Sequence, residues 1–187
     1  MKEFEMRFKL VRDISGELAR LGFEKKSEFE SCDIIFEPRE WNPWDDLKPG
    51  YFAVRIRLIG GRKPKLELKE YLEDNIWDEI SLEISSPKEI VKLLLKIMNM
   101  RRCVLKHRIM WHKNSTEVCV DKVEHLGNFV EIEGEREDVY KTAELLNLDV
   151  SQKQPNYGAQ LFYLERDGKL KFSADEIIKA AEKFMQL

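Results

Sequence analysis

The chain has 187 residues, of which 36% are charged, and its 32 Lys and Arg nearly balance its 35 Asp and Glu. This length suits one domain with its own core, and no linker or repeat interrupts it, so we predict a single domain over residues 1–187. The net charge of −3 argues against a protein that binds duplex DNA, which normally carries an excess of positive charge.

Cysteine usage and the polarity of the chain indicate a cytoplasmic protein. Cys32, Cys103 and Cys119 are odd in number and lack a C-x-x-C spacing, which is typical of reduced thiols that serve as small core residues. Charged residues begin at Lys2, unlike a secretory leader, and no apolar stretch approaches the length of a membrane span. We therefore expect no membrane association, and we leave open a homodimer.

Strands dominate the predicted elements, which follow one another in chain order with helices between them. Predicted strands cover residues 2–10, 29–36, 51–59, 65–71, 76–84, 102–111, 116–123 and 128–135. Predicted helices comprise one that Gly22 ends, one from Pro87 to about Met98, one over 136–146, a short one over 156–163 and one that Ser173 caps.

Charged and apolar residues alternate along the strands, so each strand has one charged face and one apolar face. In the first strand the charged face carries Glu3, Glu5, Arg7 and Lys9. An open antiparallel sheet with its charged face in water is one interpretation of this pattern. The charged faces contain little Ser, Thr or Asn, however, and their acids and bases nearly balance, as a closed interior requires. Eight strands suffice to close a barrel, so we predict an α+β fold: an eight-stranded antiparallel closed barrel with a charged lumen and helices packed outside.

Carboxylates at i, i+2 beside fixed cations suit a metal ion together with a polyphosphate. Such motifs recur in order along the strands: Glu3-x-Glu5-x-Arg7, Arg55-x-Arg57, Lys65 to Lys69, Lys106-x-Arg108, the run from Glu117 to Glu133, and Gln154 to Tyr157 followed by Leu161. In this order they resemble the CYTH superfamily, the triphosphate tunnel metalloenzymes. The last element is similar to the class IV adenylyl cyclase branch.

The resemblance implies an enzyme that binds ATP or another triphosphate together with Mg²⁺ or Mn²⁺. Implied metal ligands are Glu3, Glu5, Asp121, Glu131 and Glu133. Implied phosphate-binding residues are Lys9, Arg55, Arg57, Lys65, Lys69, Lys106 and Arg108. Implied catalytic residues are Arg7, Arg108 and Glu133. The leading activity is conversion of ATP to cyclic AMP and pyrophosphate, and the alternative is an inorganic, thiamine or nucleoside triphosphatase.

Arg7 departs from the family motif, which has lysine at this position. Arginine grips phosphate as a fork but is almost never deprotonated, so it serves poorly as a general base. The exchange therefore keeps a third alternative open, a non-catalytic module that binds polyphosphate or nucleotide. Trp41 and Trp44, on the proline-rich loop of residues 37–50, are expected to pack at the barrel rim, with stacking on a base as the alternative.

Overall fold

Eight antiparallel strands close into a barrel in the computed structural model, which describes residues 2–40, 48–73 and 76–185, with side chains from Phe4 onward. The predicted roles of Trp41, Trp44 and the Glu3 side chain therefore lie outside the described part of the chain. The strands are β1 (Lys2–Lys9), β2 (Glu24–Pro38), β3 (Phe52–Ile59), β4 (Lys65–Glu73), β5 (Ile76–Glu83), β6 (Met98–Lys113), β7 (Thr116–Val123) and β8 (Gly127–Gly134).

The strand order around the barrel is β1-β5-β4-β3-β2-β6-β7-β8, and β8 pairs with β1 to close the ring. Every neighbouring pair is antiparallel, which confirms the predicted sheet. The register of the β1–β8 pair places Arg7 opposite Glu131 and Glu5 opposite Glu133. Chain order alone does not give these pairings, and they bring distant charged residues to one place.

Five α-helices occur in the described residues and pack outside the barrel, as predicted. They are α1 (Ser15–Arg20), α2 (Pro87–Ile97), α3 (Arg136–Leu145), α4 (Tyr157–Arg166) and α5 (Ala174–Met185), with a short 3-10 helix over Val150–Gln152 before α4. Of the described helices, none has both the length and the apolar character needed to cross a membrane.

Apolar faces of the strands point outward and form the core beneath the helices. On β1, Phe4, Met6 and Phe8 are buried with residues of α1 and α3. On the other side of the barrel, Ile34 and Phe36 of β2 are buried with residues of α2 and α5. The charged faces are consequently left to the inside, so the curvature predicted from the alternation is confirmed.

Three of the strands are longer than predicted, β4 by two residues and β2 and β6 by more. The β2 and β6 strands contain 15 and 16 residues and pair with each other from Glu24 to Pro38, whereas the predicted segments cover only their central parts. The extra residues of β2 near Glu24 are charged and exposed, so no apolar alternation marks them. Pairing with β6 rather than burial extends this end of the strand.

Side-chain caps begin the two C-terminal helices at the predicted places. The Asn156 side chain accepts a hydrogen bond from the Ala159 amide at 2.8 Å at the start of α4. At the start of α5, the Ser173 hydroxyl accepts from the Glu176 amide at 3.2 Å and the Glu176 carboxylate accepts from the Ser173 amide at 3.0 Å, a capping box. The Asn156 cap fixes where α4 begins, and the Ser173 capping box fixes where α5 begins. Helix α4 carries a residue that reaches the barrel interior.

Candidate active site in the barrel lumen

A cavity of about 840 Å³ lies in the barrel and is lined by the charged strand faces. Its charged lining includes, among the predicted site residues, Glu5, Arg7, Arg55, Arg57, Lys65, Lys69, Lys106, Arg108, Glu131 and Glu133. The volume falls in the range of pockets that enclose ligands of drug-like size. The structure therefore brings most of the predicted site residues together around one space.

Three carboxylates form an acidic cluster on β1 and β8. One oxygen each from Glu5, Glu131 and Glu133 lies within 4.8 Å of the others. Glu5 and Glu131 are buried, and Glu133 is partly exposed toward the cavity. Carboxylate oxygens are the ligands that Mg²⁺ and Mn²⁺ prefer, so the chemistry of this donor set fits either ion.

Asp121, also predicted as a metal ligand, holds an arginine instead of joining this cluster. Arg108 donates from Nε and a terminal nitrogen to the two Asp121 oxygens at 2.7 and 2.6 Å, and the Tyr157 hydroxyl donates to the same carboxylate at 2.8 Å. Asp121 is 1% exposed. The carboxylate thus fixes Arg108, whose other contact is Glu131 at 3.1 Å.

Arg7 lies directly against the acidic cluster. Its Nε donates to Glu131 at 2.9 Å, a terminal nitrogen lies 3.2 Å from Glu5, and its guanidinium sits 4.4 Å from the Tyr157 ring centre. Burial by itself would lower the pKa of Arg7, but Glu131 and Glu5 outweigh burial and raise it. Arg7 is accordingly a permanent cation at this place and cannot exchange a proton in a reaction.

A basic wall faces the acidic cluster, and its cations are already paired with carboxylates. Arg57 donates to Asp33 at 3.0 and 3.2 Å, and Arg55 donates from Nε to Glu67 at 2.6 Å. Lys106 lies 3.3 Å from Asp33. Asp33 and Glu67 are 2% and 1% exposed, so these pairs are shielded from water. Arg55, Arg57 and Lys106 therefore each have an internal counterion.

Asp33 is a site residue that the sequence analysis missed. The alternation of β2 contains the signal, because Cys32 and Ile34 are outward and buried while Asp33 is on the opposite face. Three cations surround Asp33, and although burial would raise its pKa, Arg57 and Lys106 hold that pKa well below its ordinary value. Asp33 is therefore ionised throughout the physiological range.

The pKa of Lys106 lies below its ordinary value, whereas the pKa values of Arg57 and Lys69 are raised. Burial is the largest cause, repulsion from Arg108 is the second, and Asp33 opposes both, which leaves the pKa of Lys106 at about 8. A pKa in this range makes Lys106 titratable near neutral pH, among the residues predicted to bind phosphate.

Lys9 does not line the cavity, although it shares a strand face with Glu5 and Arg7. Its ammonium donates to the Leu126 carbonyl and lies 4.5 Å from the Phe129 ring centre. Lys65 does line the cavity and is exposed there. The structure thus separates Lys9 from the other predicted phosphate-binding residues.

Helix α4 contacts the lumen through Tyr157. This residue is 5% exposed, and its ring packs edge-on against Phe129 at 5.2 Å between ring centres. Leu161, one turn further, is buried in the same apolar group. Gly158 lies between them, and a Cβ at that position would come 3.3 Å from the Ile35 side chain, so the close approach of α4 favours glycine. Through Tyr157, helix α4 therefore packs against the part of the lumen that contains Arg7 and Arg108.

A closed antiparallel barrel with an acidic cluster and a basic wall in its lumen defines a protein of the tunnel class. A family model of the CYTH domain matches residues 1–155, most of the chain, and the protein belongs to the CYTH family. No curated protein sequence matches the chain significantly.

Solved structures from three different organisms share the fold. The PH1012 protein of Pyrococcus horikoshii is 22% identical with a TM-score of 0.74, and the match covers 85% of this chain and 98% of that one. A putative adenylate cyclase from Vibrio parahaemolyticus is 13% identical with a TM-score of 0.67, covering 95% and 97%. A putative adenylyl cyclase from Hippeastrum, described as having a dominant triphosphatase activity, is 18% identical with a TM-score of 0.57, covering 91% and 97%. At these identities the likeness establishes the fold.

Proposed function

We propose that the protein is a metal-dependent enzyme that converts ATP to cyclic AMP and pyrophosphate in the lumen of its barrel. The observation that carries the proposal is the arrangement of the Glu5, Glu131 and Glu133 cluster opposite a wall of cations in one cavity. A metal–triphosphate complex carries both signs of charge, and this cavity offers both signs in a complementary arrangement.

In this proposal the basic wall binds and orients the phosphates. Arg55, Arg57, Lys65, Lys69 and Lys106 would contact phosphate oxygens, and the forked arginines would hold them in a fixed geometry. Arg108, fixed by Asp121, would neutralise charge that develops on the phosphate chain during the reaction. Catalysis would then consist mostly of positioning and charge neutralisation.

On the acidic side, Glu5, Glu131 and Glu133 would hold Mg²⁺ or Mn²⁺, and Glu3 of the same motif is proposed as a further ligand. The metal ion, when bound, would lower the pKa of the attacking hydroxyl and neutralise phosphate charge. Arg7 would orient Glu131 and keep this carboxylate ionised. For Asp121 we propose the positioning of Arg108 in place of metal binding.

Hydrolysis of a triphosphate is the second candidate activity, and it would use the same tunnel with water as the attacking group. The Hippeastrum relative, named as a putative adenylyl cyclase, is described as having a dominant triphosphatase activity, which supports this alternative. The observation that disfavours hydrolysis here is Arg7, whose raised pKa excludes it as a general base. If neither activity occurs, the protein is a polyphosphate- or nucleotide-binding module.

A panel of ATP, tripolyphosphate and thiamine triphosphate, each with Mg²⁺ and with Mn²⁺, separates these functions when cyclic nucleotide, pyrophosphate and orthophosphate are all measured. We expect cyclic AMP and pyrophosphate from ATP. The double variant Glu131→Ala, Glu133→Ala should abolish metal-dependent turnover, while Glu83→Ala, at an exposed position of the same lining, should retain it. Turnover that survives the double change would refute the assigned roles. Binding of a triphosphate without any product would indicate the polyphosphate- or nucleotide-binding module.

A further inference from the structure

Asp33 and Glu67 are buried carboxylates, and they form ion pairs with the cations that are proposed to bind phosphate. Asp33 accepts two bonds from Arg57, lies 3.3 Å from Lys106 and 3.6 Å from Arg55. Glu67 accepts from Arg55 at 2.6 Å and lies 3.6 Å from Arg57. The two carboxylates therefore share the two arginines of β3 between them.

The fold needs these two negative charges. Cations in a closed lumen without partners are strongly destabilising, and Arg55, Arg57 and Lys106 lie on β3 and β6, the two strands that flank β2 and its Asp33. Asp33 and Glu67, at 2% and 1% exposure, are the buried carboxylates within ion-pair distance of the two arginines. In the free protein they offset the mutual repulsion of the wall.

A bound triphosphate would bring several negative charges to the same cations. Its oxygens would compete with the two carboxylates for the same N–H groups and would be repelled by them across a short distance of low dielectric. We propose that Asp33 and Glu67 act as internal counter-anions: they stabilise the free protein and they limit its affinity for the triphosphate. This inference rests on the proposed binding of a triphosphate in the lumen.

The sign of the effect separates this role from a merely structural one. If Asp33 only held Arg57 in place, loss of its charge would disorder the arginine and weaken phosphate binding. If Asp33 is a competing anion, the same loss removes repulsion that acts over a few ångströms, and binding becomes tighter by about tenfold or more. The two roles thus predict opposite changes in Kd.

The experiment compares wild type with Asp33→Asn, which keeps the shape of the side chain and removes its charge. Tripolyphosphate binding is measured by titration calorimetry in EDTA, and Tm is measured with and without tripolyphosphate. We expect a lower Tm for the free variant, a Kd about tenfold lower, and a larger rise in Tm on adding ligand. Glu67→Gln should change Tm and Kd in the same directions. If Asp33→Asn does not fold, the Kd of Glu67→Gln tests the proposal.

Glu83→Gln is the matched control, because it also removes one negative charge from the cavity lining. The Glu83 side chain is 61% exposed, so water screens its charge and both Kd and Tm should stay near the wild-type values. This inference alone would be overturned if wild type binds tripolyphosphate and the Asp33 and Glu67 variants bind it equally well or more weakly. Wild type that binds neither tripolyphosphate nor ATP, with or without metal, would overturn the proposed function and this inference with it.

Discussion

Arg7 donates its Nε hydrogen to Glu131 at 2.9 Å, so a permanent cation contacts the carboxylate at the centre of the acidic cluster. The pairing follows from the register of β1 against β8, which sets these two residues opposite each other. Because the terminal nitrogen of Arg7 also lies 3.2 Å from Glu5, one side chain contacts two of the three carboxylates of the cluster. Arg7 would therefore compete with the proposed metal ion for the same oxygens.

Replacing Arg7 by lysine, the residue of the family motif, should strengthen metal binding and raise turnover. Lysine has a single nitrogen and cannot reproduce the two-sided contact with Glu131 and Glu5. We expect Arg7→Lys to lower the Kd for Mn²⁺ by about tenfold, the change that follows from losing one charge-assisted hydrogen bond to the cluster. Calorimetric titration with Mn²⁺ measures the Kd, and a coupled pyrophosphate assay measures turnover.

Arg62→Lys serves as its control, because Arg62 lines the cavity at an exposed position. The guanidinium carbon of Arg62 lies 4.7 Å from the ring centre of Phe29. That substitution should leave the Kd for Mn²⁺ unchanged. Metal affinity that is equal in Arg7→Lys and wild type would contradict the competition between Arg7 and the metal ion.

Triphosphate binding should weaken as the pH rises through about 8. The pKa of Lys106 lies near 8 because burial and Arg108 lower it, so Lys106 is cationic below this pH and neutral above it. Loss of one cation that contacts phosphate should raise the Kd by about tenfold. Calorimetry with tripolyphosphate between pH 6.5 and 9.5, roughly 1.5 units on either side of this pKa, measures the change.

Lys106→Arg is the informative comparison, since arginine keeps its charge over this whole range. The variant should bind with an affinity that changes little between the two ends of the range. A wild-type profile that is flat, or one whose drop persists unchanged in Lys106→Arg, would assign the pH dependence to another group.

The alternation of residues predicted which strand faces are charged. It did not predict which charged groups contact each other. The β7 strand has the predicted bounds, Thr116–Val123, because Glu117 and Asp121 alternate there with Val118 and Val120. Asp121 lies on the predicted inner face of this strand, yet its partners are Arg108 from the neighbouring strand and Tyr157 from a helix far along the chain. A period of two fixes the face of a residue and contains no information about its partner.

The departures at Asp33 and Lys9 have similar causes. Asp33 was missed because it is the lone acid of an otherwise apolar stretch from Cys32 to Phe36, although the alternation with Cys32 and Ile34 places it on the inner face. Lys9 was included because it continues the alternation of β1, but it is the last residue of that strand and reaches a turn carbonyl at Leu126. Strand ends leave the wall of a barrel, and a sequence pattern does not mark where they do so.

Removal of the Tyr157 hydroxyl should loosen the pair of Asp121 and Arg108. The hydroxyl donates to Asp121 at 2.8 Å, and burial together with Asp121 raises the pKa of Tyr157, so the phenol stays protonated and remains a donor. We expect Tyr157→Phe to lower the free energy of unfolding by about 1–2 kcal/mol, because a buried carboxylate loses one of its hydrogen bonds. Urea unfolding measures this loss.

The turnover of Tyr157→Phe should fall as well, with kcat affected more than KM if Arg108 acts on charge that develops in the reaction. Tyr163→Phe is the matched control, because Tyr163 lies on the same helix with 46% of its surface exposed. Equal stability and kcat in the two variants would contradict a positioning role for Tyr157.

Oxidation should join Cys32 to Cys103 and spare Cys119. The first two sulfur atoms lie 2.6 Å apart on the paired strands β2 and β6, buried on the outer face beneath α2 and α5. The hydrogen bond with Cys103 and burial raise the pKa of Cys32, so little thiolate is present and the reaction should be slow. With oxidised glutathione, one thiolate forms a mixed disulfide and releases a glutathione, and the second thiolate then displaces the other glutathione.

Thiol titration in denaturant should then find one reactive thiol in place of the three free cysteines, with a mass lower by two hydrogens. The closed loop spans 71 residues, so the chain-entropy model predicts about 4 kcal/mol of added stability and a higher Tm in the absence of reductant. Cys119→Ser should behave as wild type after oxidation apart from its missing thiol, whereas Cys103→Ser should neither lose the two hydrogens nor gain stability. Three reactive thiols after prolonged exposure to oxidised glutathione, including exposure during refolding, would show that the two strands do not allow the bond.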